Sequence, residues 1–295
     1  MTKEHKLTTM GKNLLNPKHK LYSFLKNNPP KWWINIMEDE DLYVEIRKDN
    51  IIDVYYYGGR VAQIKQGRTS INVTCHPKYI GQTDTSNSVF YTPNKNPRYQ
   101  DCQIWLENRL DELKSNIRRF YSGTYDKENT SEKYIQGQLI KRNPDKYLDS
   151  EFAHRLYEDE GKTVRMDLVG IENNHLIFEE LKRITDSRLR NEANNPEILE
   201  QMKEYRIFIQ NNKKQLLEYY IALYNIKKGL GLSVPANVDI NNLQIDEEPR
   251  LIIADTYTDT YTKCSAARIE RIENIKSVLG KNGIVPIFIK NDKFK

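Results

Sequence analysis

The spacing of apolar positions changes several times along the chain. Residues 1–30 are polar and Lys-rich and end in Asn27-Asn28-Pro29-Pro30, where the prolines bar a continuous helix. The stretch from Leu14 to Leu25 admits either a short helix or a mobile arm. From Trp32 the pattern turns to short β-type runs, WWINIM, DLYVEIRK, IIDVYYYGGRVAQIK and TSINVTC, with Asp49-Asn50 and Gly58-Gly59 as turn chemistry between them. These runs predict an antiparallel meander. A loop over 77–99 follows, and a helical period then begins near Asp101 and continues through IWLENRLDELKSNIRRFY.

Residues 122–130 read as a linker, and SEKYIQGQLIKR as a second helix stopped before Pro144. Three strand-like runs come next, KYLDSEFAHRL, TVRMDLVGIE and HLIFEELKRI, joined by the tight turns EDEGK and NN. A long helical segment from Pro196 to about Lys228 ends at Gly229 and Gly231. RLIIAD and IVPIFIK are apolar strands, with a helix from about Ala266 to Leu279 between them. The pattern predicts an α/β (α+β) protein in three parts. These are a polar arm (1–30), a β-rich domain of meander plus helix (31–125), and an α/β domain (126–295) with a central mixed sheet flanked by helices.

At 295 residues the chain has room for more than one core. Its 19 Tyr and 3 Trp argue against wholesale disorder. No apolar run approaches the ~20 residues that cross a bilayer, and the start MTKEHKLTTMGKN lacks a secretory signal. A cytoplasmic protein without a membrane partner is the expectation. Cys75, Cys102 and Cys264 are far apart and suggest neither a disulfide framework nor a zinc site. A net charge of +5, from 46 basic and 41 acidic residues, is compatible with nucleic acid if the acidic residues concentrate at a metal site and elsewhere.

One cluster of residues carries chemistry. Asp167 lies in the apolar run VRMDLVGI, where a buried carboxylate is costly without a cation. Twelve residues separate it from Glu180 in LIFEELKRI, where strand alternation puts Glu180 and Lys182 on one face and sends Glu179 to the other. If the two runs pair as antiparallel neighbours, Asp167 meets Glu180 and Lys182. Two carboxylates and the main-chain carbonyl of Leu181 then make an oxygen set suited to Mg²⁺. A phosphodiester resists hydrolysis because its charge repels hydroxide and its leaving oxygen needs stabilisation, and metal ions address both difficulties. Lys182 can orient the attacking water or stabilise charge on the phosphorus oxygens.

Asp167, followed by Glu180-Leu181-Lys182, resembles the signature of the PD-(D/E)XK nuclease superfamily, an acidic residue on one strand and (E/D)-x-K on the next. Arg165-Met166 stand before Asp167, so the Pro of the family name is missing. The order helix, three strands, helix, strand from Ser131 to Asp255 is similar to the restriction-endonuclease-like core. The resemblance implies a metal-dependent nuclease using Mg²⁺ or Mn²⁺. By the family's habits it acts on DNA, in restriction or defence against foreign DNA. It also implies Glu151, in YLDSEFAHRL, as a further acidic ligand. As a strand that run shows Asp149 and Glu151 on one face, and as a helix Glu151 and His154. Gln201-Met202-Lys203-Glu204-Tyr205 is similar to the Q-x-x-x-Y helix of the RecB-type branch, and its i, i+4 spacing puts Gln201 and Tyr205 on one face.

Other readings stand beside these. A non-catalytic nucleic-acid or protein-binding scaffold, or an RNA-directed nuclease, would share the fold. In the meander, Arg47, Lys48, Tyr55, Tyr57 and Arg60 alternate basic and aromatic side chains. That face could bind nucleic acid, pack a small sheet or receive a regulatory protein partner. Cleavage of both strands would suit a homodimer.

Overall fold

The computed structural model describes residues 10, 14–80, 100–122, 131–156, 162–190, 196–256 and 265–290. The chain divides into two units, one of Asn13–Arg142 with Ala222–Val234, the other of Met1–Lys12, Asn143–Ile221 and Pro235–Lys295. Both contain a sheet and helices; one sheet is antiparallel and the other mixed.

In the N-terminal unit, the run Leu14–Leu25 contributes to helix α1 (Lys20–Asn27), which buries Leu21, Tyr22 and Leu25 and is capped by the His19 side chain accepting from the Leu21 N–H. The run WWINIM, expected as a strand, is helix α2 (Lys31–Glu38), which starts at the extended Pro30. Trp32 and Trp33 are both 3% exposed. Adjacent residues of a strand point to opposite faces, whereas a helix can bury both together with Ile36 one turn on.

The meander follows as β1 (Tyr43–Arg47), β2 (Ile51–Tyr56), β3 (Gly59–Gln66) and β4 (Ile71–Cys75). Asp49 and Asn50 take positive φ at the first turn. At the second, Tyr56 pairs with Gly59, so the turn residues are Tyr57 (φ 53) and Gly58 (φ 83) rather than Gly58-Gly59. The short α3 (Pro77–Ile80) and β5 (Gln100–Asp101) complete this layer, with β5 on the edge beside β4.

One long helix was expected from Asp101, and two are found, α4 (Gln103–Asn108) and α5 (Leu110–Ser122). The break is at Arg109 (φ −139, ψ 31). Its guanidinium lies 4.0 Å from the Trp105 ring centroid and donates two 2.7 Å hydrogen bonds to Glu112, so local contacts hold the kink. Helix α6 (Glu132–Arg142) starts where the Ser131 hydroxyl accepts from the Tyr134 N–H, and it groups with this unit.

The second unit is built on β6 (Tyr147–Arg155), β7 (Thr163–Glu172), β8 (His175–Arg183), β10 (Arg250–Ala254) and β11 (Ile287–Ile289), with the two-residue β9 (Gln244–Ile245) beside the start of β8. β6, β7 and β8 are antiparallel, whereas β8, β10 and β11 run parallel. YLDSEFAHR is therefore a strand. Asn173 (φ 49) and Asn174 (φ 62) form the two-residue β7–β8 turn, the left-handed pair that suits a right-twisted hairpin. Gly170 is needed beside β6, because a Cβ there would lie 2.9 Å from the Lys146 carbonyl oxygen.

Helix α7 (Glu197–Gly229) is kinked at Asn212 (φ −121), whose buried amide donates to the Phe208 carbonyl and accepts from the Met10 N–H. Phe152, Phe178, Phe208, Tyr219 and Tyr220 make a ring cluster with centroids 5.1–6.1 Å apart. Towards the other end, Ile198 and Met202 of α7 and Ile275 and Leu279 of α8 (Ser265–Lys281) pack on Leu251 and Ile253. Among the described residues no helix is long and apolar enough to cross a membrane.

Candidate active site

The asparagine turn fixes which side chains meet. Glu172 pairs with His175, and the register runs back to Leu168 against Glu179. One step further Asp167 stands opposite Glu180, on one face of the sheet. A one-residue slip would have moved every ligand candidate to the other side. Glu180 also neighbours Leu251 of β10, and Lys182 neighbours Ile253. With these apolar neighbours on β10, and Gln201 and Tyr205 of α7 against Glu180, Glu180 and Lys182 are each 1% exposed.

Within this pocket the oxygens converge on one cation. The Lys182 ammonium donates to Glu180 Oε1 and, at 3.0 Å, to the Leu181 carbonyl. Asp167 Oδ2 is 3.7 Å from the same nitrogen and accepts the Leu181 N–H at 2.9 Å. The Asp167 side chain keeps 19% exposure, so this corner opens to solvent.

Helix α7 supplies the other half of the setting. Gln201 Nε2 donates to Glu180 Oε1 at 2.7 Å, and the Tyr205 hydroxyl donates to Glu180 Oε2 at 2.9 Å. The two also touch each other at 2.6 Å, and the Tyr205 hydroxyl contacts the Arg165 carbonyl on β7. Both Glu180 oxygens are thereby held in place. Burial first and Asp167 second raise the Glu180 pKa to about 8, against the opposing pull of Lys182 and Tyr205. Burial and the Glu180 carboxylate together push the Tyr205 phenol well up, so it stays a donor.

Glu151 stands between the pairs Ser150–Leu168 and Phe152–Met166, across from Asp167. It has φ 54, a left-handed conformation that costs a non-glycine residue on the order of 1 kcal/mol or more. Among the described residues no three His, Cys, Asp or Glu side chains form a metal-holding group, so Glu151 does not close a triad with Asp167 and Glu180. Asp149, on the site face of β6, is 2% exposed and accepts from the Tyr220 hydroxyl at 3.2 Å. Tyr220 had no part in the sequence argument. Its signal was its position fifteen residues, about four turns, beyond Tyr205 on the same helix.

Glu179 lies on the opposite face, fully buried, accepting from Lys146 Nζ and the Tyr147 hydroxyl, each at 2.9 Å. Asp186 caps the turn at Ser187–Leu189 and holds Arg188 through both carboxylate oxygens. His154 turns its Nδ1 to the Arg155 carbonyl.

In the N-terminal unit, Arg47 and Arg60 both approach Asp53, at 3.8 and 3.4 Å. Tyr55 stacks on Tyr43 at 5.2 Å between centroids, and Tyr57 sits against Tyr134 at 4.6 Å. Lys48 lies in the 3-10 turn Lys48–Asn50. Most of the alternating basic and aromatic positions are therefore engaged within the sheet. Compared with known protein families, curated proteins and solved structures, the chain shows no significant match.

Proposed function

We propose that this chain is a divalent-metal-dependent nuclease that hydrolyses phosphodiester bonds, with DNA as its substrate, on a restriction-endonuclease-like core of the PD-(D/E)XK type. The supporting observation is the convergence of Asp167 Oδ2, Glu180 Oε1 and the Leu181 carbonyl around one cationic nitrogen at a buried point of a mixed sheet. A structural ion pair needs one carboxylate; here two carboxylates and a carbonyl face one ammonium, with Gln201 and Tyr205 fixing the more buried carboxylate.

This donor set fits a hard cation, and the ammonium marks where positive charge is favoured. Mg²⁺, or Mn²⁺ in its place, would be held by Asp167, Glu180 and the Leu181 carbonyl, without a ligand from Glu151. When bound, such an ion lowers the pKa of water and neutralises charge developing on the departing oxygen. The chain's own residues do the rest. Lys182 presents its ammonium to a phosphoryl oxygen or the attacking water. Tyr205 and Gln201 keep the Glu180 carboxylate in one rotamer, so that little reorganisation is needed on substrate entry.

Incubation of the purified chain with plasmid, single-stranded DNA and RNA, in Mg²⁺, Mn²⁺ or EDTA, tests the reading. Metal-dependent cutting is expected, lowered by about 10²–10³-fold or more in Lys182→Ala. A wild-type protein that cuts none of these substrates with either metal, or a Lys182→Ala variant as active as wild type, overturns it.

A further inference from the structure

Arg47, Tyr55 and Arg60 of the strand face expected to contact nucleic acid are engaged with neighbours in the sheet, and a second set of basic and aromatic side chains gathers with Tyr57 at one end of it. Because β4 runs antiparallel to β3, the residues after Cys75 return to the end where the Tyr57-Gly58 turn lies. His76 and Lys78 enter there from the segment that forms α3. Arg118 and Phe120 reach it from the last turns of α5, which is tied to α3 by the Asn116 side chain donating to the Tyr79 carbonyl at 2.9 Å.

The cations are presented in a particular way. Arg118 donates to the Tyr56 hydroxyl at 2.5 Å, and its guanidinium lies 5.8 and 5.7 Å from the ring centroids of Tyr56 and Tyr57. The Lys78 ammonium stands 3.8 Å from the centroid of Phe120 and 4.7 Å from that of Tyr79. Phe120 is 37% exposed, unusual for a large apolar ring, and Arg118 is exposed beside it on the helix. Burial first, then Lys78 and Arg60, pushes the His76 imidazole down to about 4. Cations held over ring faces, beside the partly exposed Phe120 that also meets Tyr79 edge-on at 5.9 Å, match the chemistry of an unpaired polynucleotide. Phosphates need positive charge, and splayed bases need flat apolar faces.

We infer that this end of the N-terminal sheet is a contact surface for single-stranded nucleic acid, with Lys78 and Arg118 on phosphates and Tyr57 and Phe120 against bases. The class of partner rests on the phosphodiester chemistry proposed above; the placement rests on the side chains named here. Duplex is disfavoured because its bases are already stacked and offer no free faces.

The test is binding without turnover. Fluorescence anisotropy is measured in EDTA with labelled single-stranded DNA, single-stranded RNA and duplex DNA of equal length, across a salt series. Wild type should bind the single strands more tightly than duplex, and the DNA and RNA arms report which backbone is preferred. Lys78→Ala/Arg118→Ala should weaken binding and lower the salt slope by about 1.4, the share of two phosphate contacts on a single strand. Phe120→Ala should weaken it roughly five- to a hundredfold with the slope unchanged. Lys276→Ala/Lys281→Ala, which removes the same charge from α8, should bind as wild type does. Equal loss in that control, unaltered binding by the Lys78/Arg118 variant, or preference for duplex each overturns the inference. The EDTA series reads contact without turnover, which separates the two proposals. Binding without cleavage would sink only the nuclease reading, and cleavage without this binding would sink only the surface.

Discussion

Glu180→Gln offers a test that reads the buried carboxyl directly. In the folded chain the Glu180 carboxyl, buried and facing Asp167, has its pKa raised to about 8 from an ordinary 4.5. Between those two values the folded protein holds a proton that the unfolded chain has released. Stability is therefore fully present at low pH and is lost as pH rises through the folded pKa. A change from 4.5 to about 8, at about 1.4 kcal/mol per pKa unit, amounts to roughly 5 kcal/mol across the window. Glutamine cannot titrate, so its variant lacks this slope. Changing the hydrogen bond from Lys182 adds an offset, and Asp167, 3.7 Å from the ammonium, remains in both proteins. The quantity to measure is the difference in unfolding free energy, wild type minus Glu180→Gln, by urea titration at several pH values from about 5 to 8.5 in EDTA. It should fall steadily with rising pH by several kcal/mol. If the proposed Mg²⁺ binds here it favours the ionised carboxyl, and its addition should then flatten the fall. A difference that stays constant within about 1 kcal/mol over that range would refute the account of Glu180 as a raised, proton-holding group.

Two further outcomes follow from contacts already described. Tyr205→Phe removes the hydroxyl that donates to Glu180 at 2.9 Å while keeping the buried ring, so activity should drop by about 10–100-fold with the melting temperature little changed; Gln201→Ala should act in the same direction, measured in the same cleavage and melting assays. Lys227→Met removes an ion-pair partner of Glu45, whose side chain is 1% exposed and paired at 2.7 Å, and should destabilise the chain by about 3 kcal/mol in chemical denaturation, with much of the loss recovered in Lys227→Met/Glu45→Gln.

How much of this could be read from the chain alone differs from element to element. The three strands around Asp167 and Glu180 were visible because their apolar runs were long and bounded by turn residues, and Asn173-Asn174 marked the hairpin that sets the register. The helix at Trp32 was misread because a short apolar run with two bulky rings satisfies a strand template until burial on both sides of the backbone is known. The break at Arg109 left no trace in the helical period, since it depends on where the guanidinium lands on Trp105 and Glu112. Glu151 was named whichever conformation its run took. That it sits in a strand with a left-handed φ, across from Asp167, could not be seen from composition or spacing.

The sequence by itself determined the chemical inventory of the site: two carboxylates and an amine at strand spacing, and an i, i+4 Gln-Tyr pair on the helix beyond. Alternation within one strand is a local property, so the division of Glu180 and Lys182 from Glu179 needed nothing more. The tertiary structure alone decided that α7 lies over that face and brings Gln201 and Tyr205 onto both oxygens of Glu180. It also decided that neighbouring strands dehydrate the carboxyl enough to raise its pKa. Contacts between residues far apart in the chain depend on how whole elements pack, and the spacing within each element carries no record of that packing.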